Sequence, residues 1–337
     1  MGNIIFSENS RVNDSLYGRV QAPIKSFITK RGEQFEAESI VDKIFDVVKS
    51  THFGEMFGSM TAMDEFKDVG ENGEYPVTGY QESFAKLIEA HTWKNSFSIS
   101  KEMIDDGKII EMKKRPEAFV ASYYRGREKF GAALLGAAVK GQAATTVNGV
   151  SYDLKTADGA NLFSKTHLSK IKGGKQSNLF ADSFSADALA YGETAMQNFK
   201  DDNGNILDVS PDTIIIPNLA PLKKAVFEAI GSDKDPSTAN NAFNYVYGRW
   251  NVITWSYLNQ FITNGTMPWI LFDSGTNDKY HGLIWLEREA LTITPNIDED
   301  NDANIWRGRA RYNAGFADWR SIAVFGVTGG DQLVPGA

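Results

Sequence analysis

The segment HLSKIKGGKQSN, His167 to Asn178, gathers residue types that handle phosphate: a histidine, three lysines and a Gly-Gly pair. A phosphate-cradling loop follows G-x-x-x-x-G-K-[ST]. Its glycines turn backbone amides toward the anion, the lysine reaches the phosphates and the hydroxyl holds a metal ion. Laid on Gly174 and Lys175, the pattern meets Ser169 where its first glycine should stand and Gln176 where its hydroxyl should stand. No strand ending in Gly precedes the segment and no amphipathic helix follows at once. Nucleotide binding is therefore not expected, and the segment reads as a loop.

DEDNDANIWRGR poses a calcium question. Asp298, Asp300 and Asp302 match the first three ligand positions of a calcium loop. Ala303 stands where the sharp turn needs Gly, and Arg309 where the bidentate Glu should be. The expectation is an acidic turn between strands. The four histidines, His52, His91, His167 and His281, are far apart in sequence, and neither H-E-x-x-H nor G-x-S-x-G occurs. A Ser-His-Asp site built from distant positions is recognised by geometry, and no residue pattern points to one. Asp105 and Asp106 read as a solvated helix end. No catalytic, cofactor-binding or metal-binding residue is assigned, and no cofactor is expected.

These segments need a frame to hold them. The chain has 337 residues, 42% apolar and 23% charged, enough for two or three lobes with real cores. It has no cysteine, which removes disulfides and thiolate chemistry. The net charge of -8 argues against a nucleic-acid reader and against an anionic membrane surface. The opening MGNIIFSENS lacks the pattern of a signal peptide, and Phe6 stands where myristoylation needs Ser or Thr. The longest apolar block, Ala132 to Val139, is too short to span a bilayer, so no membrane partner is expected and the chain reads as soluble.

Residues 1–35 are weakly periodic and read as an arm. From Glu36, Ile40, Ile44, Val47 and Val48 fall at helical spacing, predicting a short helix that ends near Gly54. The stretch from Ser59 to Ser100 reads as a long hairpin with a polar, Gly-rich tip. A hairpin of that kind buries little alone and needs partners. Ser100 caps a short helix ending at Gly107. A long helix then runs from Pro116 to Lys140, roughly 37 Å at ~1.5 Å per residue, with Phe119, Tyr123, Phe130 and Leu134 on one face. An alternating helix and strand lobe spans Ser183 to Glu289: a helix Ala186–Lys200, a buried strand TIIIPN, a helix APLKKAVFEAIG and three later strands. Strands close the chain. In the last stretch Trp306, Gly308, Ala310 and Tyr312 alternate with Arg307, Arg309 and Arg311. A row of arginines on one sheet face repels itself unless acids face it, either within the chain or from another subunit. No internal repeat is seen.

The order arm, helix, hairpin, capped helix, long helix, α/β lobe and closing strands resembles the major capsid proteins of tailed phages, the Hong Kong 97-type fold. WKNSFSISKEMIDDG is similar to the return of that family's extended loop. GANLFSKTHLSKIKGGKQSN resembles a segment of the Mu-like prophage major head subunit. ILDVSPDTIIIPNLAPLKKAVFEAI and ARYNAGFADWRSIAVFG resemble the same family's strand-helix unit and C-terminal strands. The similarity runs from about Phe45 to Val327.

The resemblance implies an α+β, wedge-shaped subunit. It would have an N-terminal arm and short helix (1–58), an extended hairpin (59–100), a peripheral domain (101–180) with a spine helix (116–140), an axial domain (181–289) and closing peripheral strands (290–337). It implies a non-enzymatic head protein that forms pentamers and hexamers of an icosahedral shell around double-stranded DNA, without sequence-specific contacts. It also implies a portal as partner and, since no long charged N-terminal scaffold segment is seen, either a separate scaffolding protein or a chain already processed. Interface candidates on this reading are Glu71, Glu74, Tyr75, Tyr80, Trp93, Arg125, Arg127, Lys172, Lys175, Arg307, Arg309 and Arg311. Some members crosslink a hairpin lysine, and neither Lys67 nor Lys86 is assigned that role. The competing class is a soluble hydrolase or carbohydrate-binding protein in a small oligomer, suggested by the tryptophans and the loop-borne His and Asp.

Overall fold

The computed structural model describes residues 5–6, 18–58, 66–71, 73–77, 84–106, 109–171, 174–231, 244, 246–262, 265–298 and 302–333. The fold is α+β, with fifteen strands and seven α-helices among the described residues. In chain order the first elements are β1 (Ile5–Phe6), α1 (Gly18–Glu38), α2 (Val41–Ile44), β2 (Asp46–Lys49), β3 (Gly54–Gly58), β4 (Ala85–Glu89), β5 (His91–Ile99), α3 (Lys101–Asp105) and α4 (Ile109–Val139). Then come β6 (Ala144–Val147), β7 (Val150–Asp153), β8 (His167–Leu168), β9 (Lys175–Gln176), α5 (Ala186–Gln197), β10 (Thr213–Pro217), α6 (Ala220–Ile230) and β11 (Asn251–Trp255). After a 3-10 turn, Ser256–Phe261, follow β12 (Trp269–Phe272), α7 (Ser274–Tyr280), β13 (Leu283–Ile297), β14 (Asn304–Phe316) and β15 (Ile322–Phe325). No helix is long and apolar enough to cross a membrane among the described residues.

The chain divides into two compact units. The first comprises residues 1–55, 88–131 and 285–314. Its sheet runs β1-β13-β14-β5, with β2 also on β13. The antiparallel register of β14 and β5 sets Trp306 opposite Phe97, Gly308 opposite Asn95 and Ala310 opposite Trp93. Alternation then gives this pair of strands two chemically different faces. One packs on α4: Phe97 lies 5.1 Å from Phe119, and Trp93 5.2 Å from Phe130, between ring centroids. Gly308 makes the approach workable, since a Cβ there would sit 2.4 Å from the Phe119 ring. Ile28 of α1, Ile99, Val120, Ile293 and Trp306 complete this core.

The second unit comprises residues 56–87, 132–284 and 315–337. Its sheet has the order β11-β10-β12-β15, with β10 and β11 parallel and the other pairs antiparallel. TIIIP is buried at every position, as a continuous apolar run in a central strand should be. Trp269 stacks on Phe325 at 4.2 Å. Ser185 caps α5 by accepting from the Ala188 amide. The smooth stretch of α4 is used here: a Cβ on Gly136 would meet the Phe261 ring at 2.4 Å.

Several expectations are corrected. Residues 18–38 form a helix, not an arm without core contacts, because Ile28 and Phe35, one heptad apart, supply its buried stripe. The helix expected after Glu36 shrinks to α2. Val47 and Val48, both β-branched, belong to β2 instead. Long helix α4 starts at Ile109 and runs through Pro116, since EMKKR before it consists of good helix formers. The return arm of the expected hairpin is split: β4 pairs with β3, whereas β5 joins β14. β15 pairs with β12 rather than with the other closing strands.

Candidate functional site

His167 opens the two-stranded ribbon of β8 and β9, pairing with Gln176, and Gly174 takes φ +70 in the tight return. Its side chain is fully buried and Asp158 is nearly so, with Nδ1 of His167 2.8 Å from Oδ2 of Asp158. This is the His-Asp half of a nucleophilic triad. The other half is missing, because Nε2 lies 3.2 Å from Oδ1 of Asn178 and not from a hydroxyl. The Asn178 amide is oriented by its neighbours. Its Nδ2 donates to the carbonyls of Leu162 (2.9 Å) and Ile322 (3.1 Å), while Oδ1 accepts from the Ser164 amide (3.0 Å). Both histidine nitrogens therefore have a buried hydrogen-bond partner.

Burial alone would raise the Asp158 carboxyl. The hydrogen bond and charge of His167, with bonds from Thr156 and the Ala160 amide, outweigh it and hold the group below the usual carboxylate range. The imidazole also stacks on Trp319 at 4.3 Å. Beside it, Arg320 bonds Asp318 (2.7 Å), Asp202 (2.8 Å) and the Lys200 carbonyl (2.9 Å). No ring nitrogen reaches a surface, so the cluster has no access for a substrate. It is a buried clamp, tying both ends of the loop 167–178 to the segment 318–322.

Two lysines of that loop, Lys170 and Lys175, lie on the outside of the clamp. Lys175 is exposed, Lys170 sits 5.6 Å over the Phe84 ring, and Lys172 lies outside the described residues. Sequence reasoning missed Asp158, Asn178, Trp319 and Arg320. The one available signal was a His and an Asn bracketing a Gly-Gly turn, which suggests a loop closed at its neck.

Of the proposed contact residues, two point inward. Arg127 is 4% exposed; it bonds Asp42 at 2.7 Å and lies 4.9 Å over the Trp285 ring, an internal strut of the first unit. Around it, burial pushes the Tyr123 hydroxyl up to about 12 and raises the Glu287 carboxyl. Trp93 stacks on Tyr312 at 5.0 Å and donates Nε1 to the Tyr312 carbonyl at 3.1 Å. Arg127 is thus used within its own chain, and Trp93 is half-buried. Arg125, Glu71, Glu74 and Tyr75 are exposed, and Tyr80 lies outside the described residues. In the hairpin segment 66–77 every described residue is exposed, Phe66, Tyr75 and Val77 almost completely. Lys86, at its base, bonds the carboxylate of Asp153 at 3.3 Å.

Arg307 and Arg309 are exposed and Arg311 is half-buried, all on the β14 face turned away from α4. Arg309 has Glu289 at 3.5 Å. Asp298 and Asp302 lie in the turn between β13 and β14, which the Asp298 amide closes by donating to the Ala303 carbonyl; Asp300 lies outside the described residues.

A model of the family described as phage capsid protein matches residues 83–325. No curated protein matches the sequence. Among solved structures, the chain is similar to one titled for Mycobacterium phage Patience, at 11% identity over 94% of this chain and 91% of that one, TM-score 0.49. It is similar to the mature capsid of bacteriophage PhiM1 at 10% identity, over 86% and 87% of the two chains, TM-score 0.48. The capsid of an empty GTA particle aligns at 14% identity over 85% and 88%, TM-score 0.47.

Proposed function

Because the chain belongs to the phage capsid protein family, and so is a virion component, we propose that it is a major head subunit of the Hong Kong 97 type. It builds the pentamers and hexamers of an icosahedral shell around double-stranded DNA. The observation that carries this reading is the hairpin segment 66–77. Its aromatic residues have no cover from their own chain among the described residues, and large exposed apolar groups of this kind mark contacts with other molecules. In the proposed subunit the hairpin tip lies on a neighbour, the spine helix belongs to the peripheral domain and residues 181–289 form the axial domain. Glu71, Glu74, Tyr75, Arg125, Lys172, Lys175 and the arginine row are its contact candidates.

The protein performs no turnover on this reading. The His167–Asp158 pair is buried and both histidine nitrogens are occupied. Many modest contacts, each repeated around a closed shell, supply stability that no single contact has. A separate scaffolding protein and a portal complete the assembly, in the host cytoplasm, and the acidic chain encloses DNA without reading its sequence. Sedimentation of the purified protein tests the proposal. Particles far heavier than a hexamer, or discrete pentamers and hexamers, are expected; a stable monomer or dimer at high concentration contradicts it.

A further inference from the structure

We propose that Lys86 is a positioning residue for shell assembly. Together with Phe84 it seats the root of the hairpin on the turn 153–161 and the loop 167–178 of its own subunit, and so fixes the direction of the exposed segment 66–77. The inference rests on the shell-forming function proposed above and assigns the device that aims its contact segment.

Residues 84–87 alternate in burial: Phe84 and Lys86 are half-buried, Ala85 and Leu87 exposed. Successive side chains of an extended chain point to opposite faces, so Phe84 and Lys86 share one. The Lys86 side chain is only 11% exposed, unusual for an ammonium. Its Nζ lies 3.3 Å from Oδ2 of Asp153 and donates to the carbonyls of Asp153 (3.3 Å) and Lys155. An ammonium has three donors, and three oxygens meet them. The seat is itself fixed. Oδ1 of Asp153 accepts from the Lys155 amide at 3.1 Å, and Lys155 pairs with Asn161 across the turn. Within that turn Asp158 is held by the buried His167 at 2.8 Å. Phe84 meets Lys170, at 5.6 Å, on the loop whose neck the same histidine closes. Both contacts of the root therefore end on the buried clamp.

The contact supplies direction rather than stability. Burial pushes the Lys86 amine below the usual lysine range, against the pull of the Asp153 carboxylate. The charged form is thus less favourable here than in water. An apolar side chain of similar volume in place of such a buried charge is often as stable or more so. What it does not supply is three directional hydrogen bonds to one turn. Every described residue from 66 to 77 is exposed, so that segment has no core contact to orient it. Its orientation is set at the root, where the chain is gripped.

The test compares full-length Lys86→Met with the unsubstituted protein, and Lys67→Met, a lysine on the exposed segment, is the control. Amide hydrogen exchange of residues 84–87 in the unassembled subunit should be at least about fivefold faster in Lys86→Met. Its circular dichroism should be unchanged and its melting temperature equal or higher. The yield of closed shells should fall by at least about fivefold. Lys67→Met should leave the exchange unchanged. Asp153→Asn keeps the shape of the seat, removes the counter-charge and should also speed the exchange. Unchanged exchange in either Lys86→Met or Asp153→Asn overturns the proposal, as do normal shells despite faster exchange. A fall of more than about 5 °C in the melting temperature of Lys86→Met also overturns it, since Lys86 is then a strut of the core. Failure of the unsubstituted protein to assemble overturns the shell-forming function instead, and the exchange still decides whether Lys86 seats the root.

Discussion

Nε2 of His167 and Oδ1 of Asn178 lie 3.2 Å apart, which closes the loop 167–178 at its neck with a buried hydrogen bond. What looked in sequence like a site for phosphate is thus a ribbon whose two ends are buried and whose Lys170 and Lys175 are carried on the outside. The polar atoms that could have done chemistry are consumed in holding it.

Replacing His167 with Ala should therefore destabilise the second unit severely. The substitution leaves the Asp158 carboxylate without its His167 hydrogen bond and removes the stacking on Trp319. Leaving a buried charged acceptor without its donor costs about 3 kcal/mol. Urea unfolding of the unassembled protein should show the loss.

The pair also sets a pH dependence. Asp158 has a folded-state pKa held down, so its contribution is present above the unfolded value of about 3.9 and is lost as pH falls through the lower folded value. Asp158→Asn should melt well below the unsubstituted protein at pH 7. The gap between the two should narrow below pH ~4, when the aspartate is itself neutral.

Two glycines hold close approaches that leave no room for a methyl group. Gly136→Ala brings a carbon against Phe261, and Gly308→Ala brings one against Phe119. Each should cost about 1–3 kcal/mol by overpacking, read as a lower melting temperature. Gly126→Ala, on the same helix as Gly136 but with open space around its Cβ position, is the control and should be neutral or slightly stabilising.

Removing residues 70–79 tests the hairpin separately from the core. The described residues of that segment are exposed, so the shortened chain should keep its circular dichroism and melting temperature. Shell yield should collapse. Normal shells from the shortened chain would contradict the role given to the hairpin.

Elements that bury themselves by local pattern were legible in the sequence. TIIIP was visible as a central strand because four consecutive apolar or β-branched residues end in Pro217, and α5 because Ser185 caps an apolar stripe. Helix α1 was not, because Ile28 and Phe35 are few anchors among polar residues and their packing partners, such as Trp306, come from far along the chain. The arginine row was legible as alternation, yet Lys94 was not part of it, since only the strand register brings it opposite Arg309. Arg127 misled for the same reason. A charged residue on a helix reads as solvated until Asp42 and Trp285 are found around it. Asp158, Asn178 and Trp319 surround His167 through three separate stretches, a convergence that no spacing rule encodes.

Negative-stain electron microscopy of the purified, unsubstituted protein tests the central claim most directly. Closed or irregular shells, or rings of five and six subunits, are the predicted images. A uniform population of small particles with no ring or shell at any concentration would contradict the assignment of this chain as a head subunit.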